Sequence, residues 1–391
     1  MSSKTKSKKG IEPKLRFPEF RDAKAWEKQP LDKFLDYQQP TPYLVADTKY
    51  SNNYKTPVLT AGKTFLLGYT NEQHGIFNDG LPVIIFDDFT TATQFVDFPF
   101  KAKSSAMKIL QAKNGASIKF MYEAMQMISY EIGTHERHWI SKFAPMLIPI
   151  PVNPKEQKKI ADCLSSLDEL IETEDQKLNA LQRHKKGLMQ ELFPAEGETL
   201  PNRRFPEFQN APEWGKKTLK DLCNMQAGKF IQAADIYEEM KEGLYPCYGG
   251  NGLRGYVKSY THRGKYPLIG RQGALCGNIN LATDSFYATE HAVVVTAKSG
   301  VIVDWLYYQL VRLNLNQYAT GQAQPGLSVD VLDKVVSLTP TDPKEQRRIA
   351  DFLSSIDELI TTQSQKLDAL RGHKKGLMQQ LFPAISDESN G

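Results

Sequence analysis

Residues 154–194 read PKEQKKIADCLSSLDELIETEDQKLNALQRHKKGLMQELFP, and residues 343–383 return nearly the same text as PKEQRRIADFLSSIDELITTQSQKLDALRGHKKGLMQQLFP. At an offset of 189, 30 of the 41 positions are identical. Each copy opens like a helix, with Asn153 or Asp342 as N-cap and Pro154 or Pro343 at the first helical position. Glu156 or Glu345 then stands where it would close a capping box. Each copy ends before Phe-Pro, where proline cannot continue the helix. About 38 residues at about 1.5 Å rise make a rod of roughly 57 Å, longer than an ordinary core helix.

A shorter signal lies outward of these copies. Phe17-Pro18-Glu19-Phe20 with Trp26 returns as Phe205-Pro206-Glu207-Phe208 with Trp214. The chain is therefore two half-molecules, each a leading motif, a globular body and a long helix. The bodies, roughly 20–152 and 209–341, are far less alike. Two matched scaffolds with two different heads suit a molecule that holds two unlike readers at a set separation.

The long segments carry apolar residues on a heptad: Leu164, Leu167, Ile171, Leu178, Leu181, Leu188 and Leu192, interrupted by Glu174 and Lys185. The second copy repeats the seam as Leu353, Ile356, Ile360, Leu367, Leu370, Leu377 and Leu381, interrupted by Gln363 and Lys374. Such a seam needs a partner helix, and the other copy supplies one. If the copies run antiparallel with paired residue numbers summing to 548, Glu174 faces Lys374 and Lys185 faces Gln363. Every apolar position is then matched and no buried charge is left alone, which would cost roughly a few kcal/mol. The expectation is an intramolecular antiparallel coiled coil with a pseudo-twofold repeat.

Composition narrows the class. A length of 391 residues favours two or three domains. Cys163, Cys223, Cys247 and Cys276 show no CxxC spacing, so neither a disulfide framework nor a zinc site is expected. No run of about 18 apolar residues exists and the leading MSSKTKSKKG has no apolar segment after it, which predicts a cytoplasmic protein without a membrane partner. The net charge of +4 is mild, but its distribution is uneven. Between Glu242 and Asp284 there is no acidic residue, while Arg254, Lys258, Arg263, Lys265, Arg271 and His262 are present. Between Asp97 and Glu123 the same holds, with Lys101, Lys103, Lys108, Lys113 and Lys119. One basic window in each body points to a polyanionic partner.

The second body alternates short apolar runs (266–269, 278–281, 292–296) with glycines, the pattern of strands and turns. The first is a looser version that shares Pro57 with Pro246, Gly68-Tyr69 with Gly255-Tyr256, and Pro82 with Pro267. A more helical stretch follows in each, at 118–132 and 303–315, so both bodies read as small α+β domains with a curved sheet. Catalytic motifs are missing. Ala61-Gly62-Lys63-Thr64 lacks the first glycine of a phosphate loop, where Pro57 stands, and reads as a turn. His135-Glu136-Arg137-His138 has the wrong spacing to share a zinc ion, and Asn210-Ala211-Pro212-Glu213 fails as an adenine-methyltransferase motif. Neither catalytic nor metal-binding residues are expected.

PKEQRRIADFLSSIDELI followed by QKLDALRGHKKGLMQQLF, the repeated RFPEF…W, and YGGNGLRGYV…LIGRQGALCGN…TEHAVV together resemble the specificity (S) subunit of type I restriction-modification systems. The likeness covers essentially all of the chain after about residue 12. It implies an α+β fold with two small α/β target-recognition domains joined by two long antiparallel helices. The boundaries would be a basic, disordered tail at 1–12, recognition domains at 13–152 and 197–341, long helices at 153–196 and 342–384, and a tail at 385–391. It further implies that each domain reads one half of a bipartite, asymmetric target in double-stranded DNA while the helices fix the spacing. Two methyltransferase (M) subunits would dock on the helices and restriction (R) subunits would join them. S-adenosylmethionine, ATP and Mg2+ would be used through those subunits, with no cofactor bound by this chain. The first head departs from the pattern where Gly270-Arg271-Gln272-Gly273 of the second has become Phe86-Asp87-Asp88-Phe89-Thr90-Thr91.

Reading DNA requires groups for phosphates and groups for base edges. In the second head Lys258, Arg263 and Lys265 suit phosphates, while Asn251, Arg254, Arg271 and Gln272 have the forked or amide geometry that discriminates bases. Gly249, Gly250, Gly252 and Gly273 would admit close backbone approach or form plain turns, and Gln322 and Gln324 sit on a second loop. In the first head Lys63, Thr64, Asn71, Gln73, His74, Thr90, Thr91 and Thr93 are the reading candidates, with Lys101 and Lys103 for phosphates and His135 and Arg137 as further contacts. Two other classes stay open at this level: a self-sufficient nuclease or methyltransferase, and a structural adaptor whose heads bind proteins.

Overall fold

The computed structural model describes residues 11–384 apart from 63, 131, 133–136, 274 and 322–324. It divides into two compact units, Met1–Asp175 with Lys366–Gly391, and Gln176–Gln365. Each long helix is therefore shared, contributing one stretch to unit 1 and another to unit 2.

In unit 1 the chain forms β1 (Glu27–Pro30), β2 (Leu35–Gln38), β3 (Thr56–Leu59), β4 (Leu66–Thr70), β5 (Val83–Asp87), β6 (Thr93–Val96), β7 (Lys101–Ala102), β8 (Met107–Ala112), α1 (Ile118–Gln126) and β9 (Leu147–Ile150). Helix α2 (Pro154–Leu192) follows. Unit 2 adds β10 (Gly215–Thr218), α3 (Leu219–Leu222), β11 (Cys223–Ala227), β12 (Tyr245–Gly249), β13 (Gly252–Val257), β14 (His262–Arg263), β15 (Tyr266–Gly270), β16 (Ile279–Ala282), β17 (Ser285–Ala288), β18 (Ala292–Ala297), α4 (Val303–Arg312), α5 (Val329–Leu332) and β19 (Val336–Thr339). Helix α6 (Pro343–Leu381) ends the described elements.

The two heads share one layout despite their unlike sequences. Unit 1 has a sheet β2-β8-β5-β6, a smaller sheet β4-β3-β7 and a β1-β9 pair; unit 2 has β11-β18-β15-β16, β13-β12-β17-β14 and a β10-β19 pair. Central strands β5 (VIIFD) and β18 (AVVVTA) are nearly continuous apolar runs, because both of their faces are covered. One face of sheet β2-β8-β5-β6 receives α1 and one face of β11-β18-β15-β16 receives α4, and their apolar stripes bury Phe120, Met121 and Met125 in unit 1 and Trp305, Leu306 and Leu310 in unit 2.

The leading motif and the helix start turn out to be one device. Arg16 donates to both carboxylate oxygens of Glu156, at 2.7 and 2.8 Å, and to the carbonyls of Ala23 and Lys24. The Trp26 indole donates to the same carboxylate at 3.1 Å. Unit 2 repeats this with Arg204, Glu345, Ala211, Pro212 and Trp214. Asn153 and Asp342 do cap their helices, accepting from Lys155 N and Lys344 N. Glu156 and Glu345, expected to complete capping boxes, are instead the receptors for the leading motifs. A buried carboxylate with a bidentate guanidinium available binds it in preference to one backbone amide. The next residue has a matching role: Gln157 accepts from the amide of Ser117, the N-cap of α1, and Gln346 accepts from Ile302, the N-cap of α4.

The helix stretches run antiparallel within each unit, but in a different register from the one expected. In unit 1 Lys374 meets Asp168 at 2.6 Å and Lys366 meets Glu174; in unit 2 Lys185 meets Asp357 at 2.6 Å. These partners sum to 540 or 542, about one heptad below 548; the exposed Arg371–Asp175 contact reaches along the helices to 546. A sum of 541 sets Ile160 opposite Leu381 and Leu164 opposite Leu377 in the core of unit 1, and Leu188 opposite Leu353 and Leu192 opposite Ile349 in that of unit 2. The expected pairs Glu174–Lys374 and Lys185–Gln363 do not form. The physical reason is that the seam lysines find carboxylates outside the seam. Lys374 also reaches Glu123 of α1 at 3.1 Å, and Lys185 lies 5.2 Å from the ring of Tyr308 on α4, whose hydroxyl donates to Asp357. Gln363 is buried.

Candidate nucleic-acid interface

The site of unit 2 is assembled from two glycine-rich turns. Gly250 and Asn251 link β12 to β13, and residues 271–278 link β15 to β16. The turns touch through backbone, since a Cβ on Gly270 would fall 1.9 Å from the carbonyl oxygen of Gly250. That contact accounts for this glycine directly. An open cleft of about 450 Å³ between the turns is lined by Asn251, Leu253, Arg254, Gln272 and His291. The last loop of the head is tied to the same place: Gly273 N donates to Pro325 O, Leu327 N donates to Arg271 O, and Gln272 bridges Gly326.

Three of the expected base-reading residues, Asn251, Arg254 and Gln272, therefore share one cleft, and all three are exposed. Arg271 is half-buried, its backbone fixed by His291 O and Leu327 N, and does not line the cleft. Lys258 and Arg263 are exposed, Lys258 with its ammonium 5.7 Å from the Tyr237 ring. Lys265 is ion-paired with Asp304 of α4. Burial, and then the charge of Lys229, hold the His262 imidazole below its usual range, and it stacks on Phe286. It therefore adds no charge to the basic window at neutral pH. Gln322 and Gln324 lie outside the described residues. His291 and Leu253 were not singled out from sequence, because a lone histidine after Thr-Glu and a lone leucine in a strand carry no distinctive spacing.

In unit 1 the residues fall into separate groups. Thr64 is exposed on the β3–β4 hairpin, where Thr60 Oγ1 donates to Thr64 O and accepts from Gly62 N. Asn71, Gln73 and His74 are exposed after β4. Lys101, expected to meet phosphates, is 4% exposed, donates to His74 O at 2.6 Å and pairs with Glu72 at 2.7 Å. Lys103 is half-buried with its ammonium 6.0 Å from the Tyr50 ring. Thr90 and Thr91 form the β5–β6 turn, Thr91 at a φ of 59°, and Thr93 on β6 accepts from Gln126. Arg137 is exposed, whereas Lys63 and His135 lie outside the described residues.

The basic window of unit 1 is largely neutralised within the fold. Lys108 is buried against Asp88 at 3.2 Å, and Asp88 also accepts from Trp139 N. Lys119 pairs with Glu123 at 2.9 Å and Asp168 at 2.7 Å. The Phe-Asp-Asp stretch that replaces the open glycine turn of the second head is thus a core feature: Asp87 caps its own turn and Asp88 neutralises a buried lysine.

Comparison with known proteins bears on both units. Over 151 residues the chain is 48% identical to the Type I restriction enzyme EcoprrI specificity subunit of Escherichia coli, a stretch that is 38% of this chain and 37% of that relative. The chain thus spans little more than a third of that protein in the alignment. It is 23% identical over 408 residues to the MjaVIII specificity subunit of Methanocaldococcus jannaschii, covering 94% of this chain and 93% of that one. Its fold matches the crystal structure of a type I restriction-modification S subunit from M. genitalium at a TM-score of 0.71, with 19% identity over 96% of this chain and 100% of that one. Among the described residues no helix is long and apolar enough to cross a membrane. Because the family model of the type I restriction modification DNA specificity domain matches twice, at residues 23–183 and 212–371, with Trp26–Glu156, Trp214–Glu345 and the repeated sheets inside those spans, the chain belongs to that family.

Proposed function

We propose that this chain is the sequence reader of a type I restriction-modification complex, in which each head recognises one half of a bipartite, asymmetric site in double-stranded DNA. The observation that carries this reading is the cleft of unit 2, where Asn251, Arg254 and Gln272 converge on two turns packed backbone to backbone. Forked guanidinium and amide groups are those that discriminate base edges, and exposed Lys258 and Arg263 supply the phosphate contacts that position them. In this reading the long helices set the spacing of the half-sites and dock two methyltransferase subunits, with restriction subunits completing a cytoplasmic assembly. S-adenosylmethionine, ATP and Mg2+ act on those partners, and this chain performs no chemistry.

The test is a head exchange. Trp214 is bonded to Glu345, so the exchanged segment starts just after it and runs over residues 215–338. Methylated sites mapped in a host carrying the hybrid should change in one half-site only. A change in both halves, or in neither, would overturn the assignment of one head to one half-site.

A further inference from the structure

The small sheets of the two heads carry the same irregularity. In unit 2, Cys247 pairs with Gly255 and Tyr248 with Leu253, so Arg254 is an extra residue in β13. In unit 1, Val58 pairs with Gly68 and Leu59 with Leu66, so Leu67 is the extra residue in β4. The bulges coincide: Leu66-Leu67-Gly68-Tyr69 corresponds to Leu253-Arg254-Gly255-Tyr256. Both rest on a glycine at an equivalent, positive φ, 151° at Gly68 and 153° at Gly255. A Cβ on either would clash, 2.8 Å from Tyr50 Cβ or 2.5 Å from Tyr237 O, so each bulge is tied to a glycine.

A regular strand sends consecutive side chains to opposite faces, whereas a bulge re-aims one of them. Here the result is two adjacent outward side chains in each head. Leu66 and Leu67 are 42% and 36% exposed, and Leu253 is 52% exposed beside exposed Arg254. Leu253 stands in the cleft with Asn251 and Gln272. An apolar residue held open among base-reading groups, by a bulge that both heads retain, is placed for an apolar feature of a base. The thymine 5-methyl is that feature in the major groove.

The geometry points to Leu253 as a specificity-determining residue that reads a thymine methyl beside the base edge taken by Arg254, with Leu66 and Leu67 in the equivalent position of the first head. This rests on the assignment of the heads to DNA made above. The test uses the full chain assembled with its methyltransferase subunits and duplexes of its mapped site in which each thymine of the second-head half-site is replaced, one at a time, by deoxyuridine. At one position, loss of the methyl should weaken binding about fourfold, the worth of roughly one buried methylene. Leu253→Ala should bind about as weakly as that and show no further loss with deoxyuridine, while Leu253→Met, which keeps apolar bulk, should retain the sensitivity. The inference is overturned if no replacement matters, if the half-site has no thymine on either strand, or if Leu253→Ala keeps the full sensitivity. A complex with no sequence preference at all would instead remove the DNA assignment beneath it.

Discussion

The turn after β5 in unit 1 and the turn after β15 in unit 2 occupy the same place in the same sheet, yet one faces inward and the other outward. Asp87-Asp88 is buried, with Asp88 paired to Lys108 and bonded to Trp139 N. Gln272 is exposed in a cleft, on a loop whose glycines let it pack on the neighbouring turn. The scaffold around both is repeated almost atom for atom, from Arg16–Glu156–Trp26 to Arg204–Glu345–Trp214. The difference teaches that one position of a shared scaffold can be spent on the core in one head and left open to solvent in the other. It also shows that a basic stretch in sequence need not be a basic surface, since the fold can pair its lysines with carboxylates from other elements.

The sharpest way to break this comparison is to truncate the buried partner of one turn and the exposed side chain of the other. Lys108→Ala should destabilise unit 1 by about 3–5 kcal/mol, because it leaves Asp88 buried without its counter-charge. Gln272→Ala in unit 2 should stay within about 0.5 kcal/mol. Denaturant unfolding of the two variants checks both, and similar losses would remove the contrast.

The junctions between head and helix should differ less. Burial raises the pKa of Asp168, but hydrogen bonds from Lys119 and Lys374 outweigh it and hold the carboxyl below its usual range. A carboxyl lowered in the folded state contributes stability that is present above its unfolded value, about 3.9, and is lost as pH falls through the folded value. Asp168→Asn should therefore cost about 1.5–3 kcal/mol at neutral pH, and its deficit against the parent should shrink below about pH 4. Asp357→Asn should cost less, since Asn can still accept from Tyr308 and Lys185, 20% exposed, can turn to water. Stability measured across pH for both variants tests the ranking.

The smallest effect concerns register. Exchanging Lys185 and Asp357 (Lys185→Asp with Asp357→Lys) should recover on the order of 1 kcal/mol relative to the sum of the single changes, as expected for contacting residues. The same cycle at residues 174 and 374 should show no coupling. Coupling there instead would restore the register that sums to 548.

Local physics made much of this protein legible from its sequence. The duplicated helices, their Asn153 and Asp342 caps, their stop before Phe-Pro and the strand language of the heads depend on neighbours in the chain, and the structure places them as expected. Asn251, Arg254 and Gln272 were legible as candidates, but their gathering in one cleft was not, since their turns belong to strands of different sheets. The co-occurrence of RFPEF…W with PKEQ was visible, but not that Arg16 and Trp26 bind Glu156, because nothing local distinguishes a capping glutamate from a receptor 140 residues away. Charge neutralisation was decided only by tertiary structure. Lys101, Lys108, Lys119, Lys185, Lys265 and Lys374 each find carboxylates contributed by other elements of the fold. Helix periodicity is a short-range property that recurs every few residues, so one heptad fits as well as the next. The choice among heptads, and the choice of which cations remain free for a partner, depend on Coulomb partners brought together only when the sheets and helices pack.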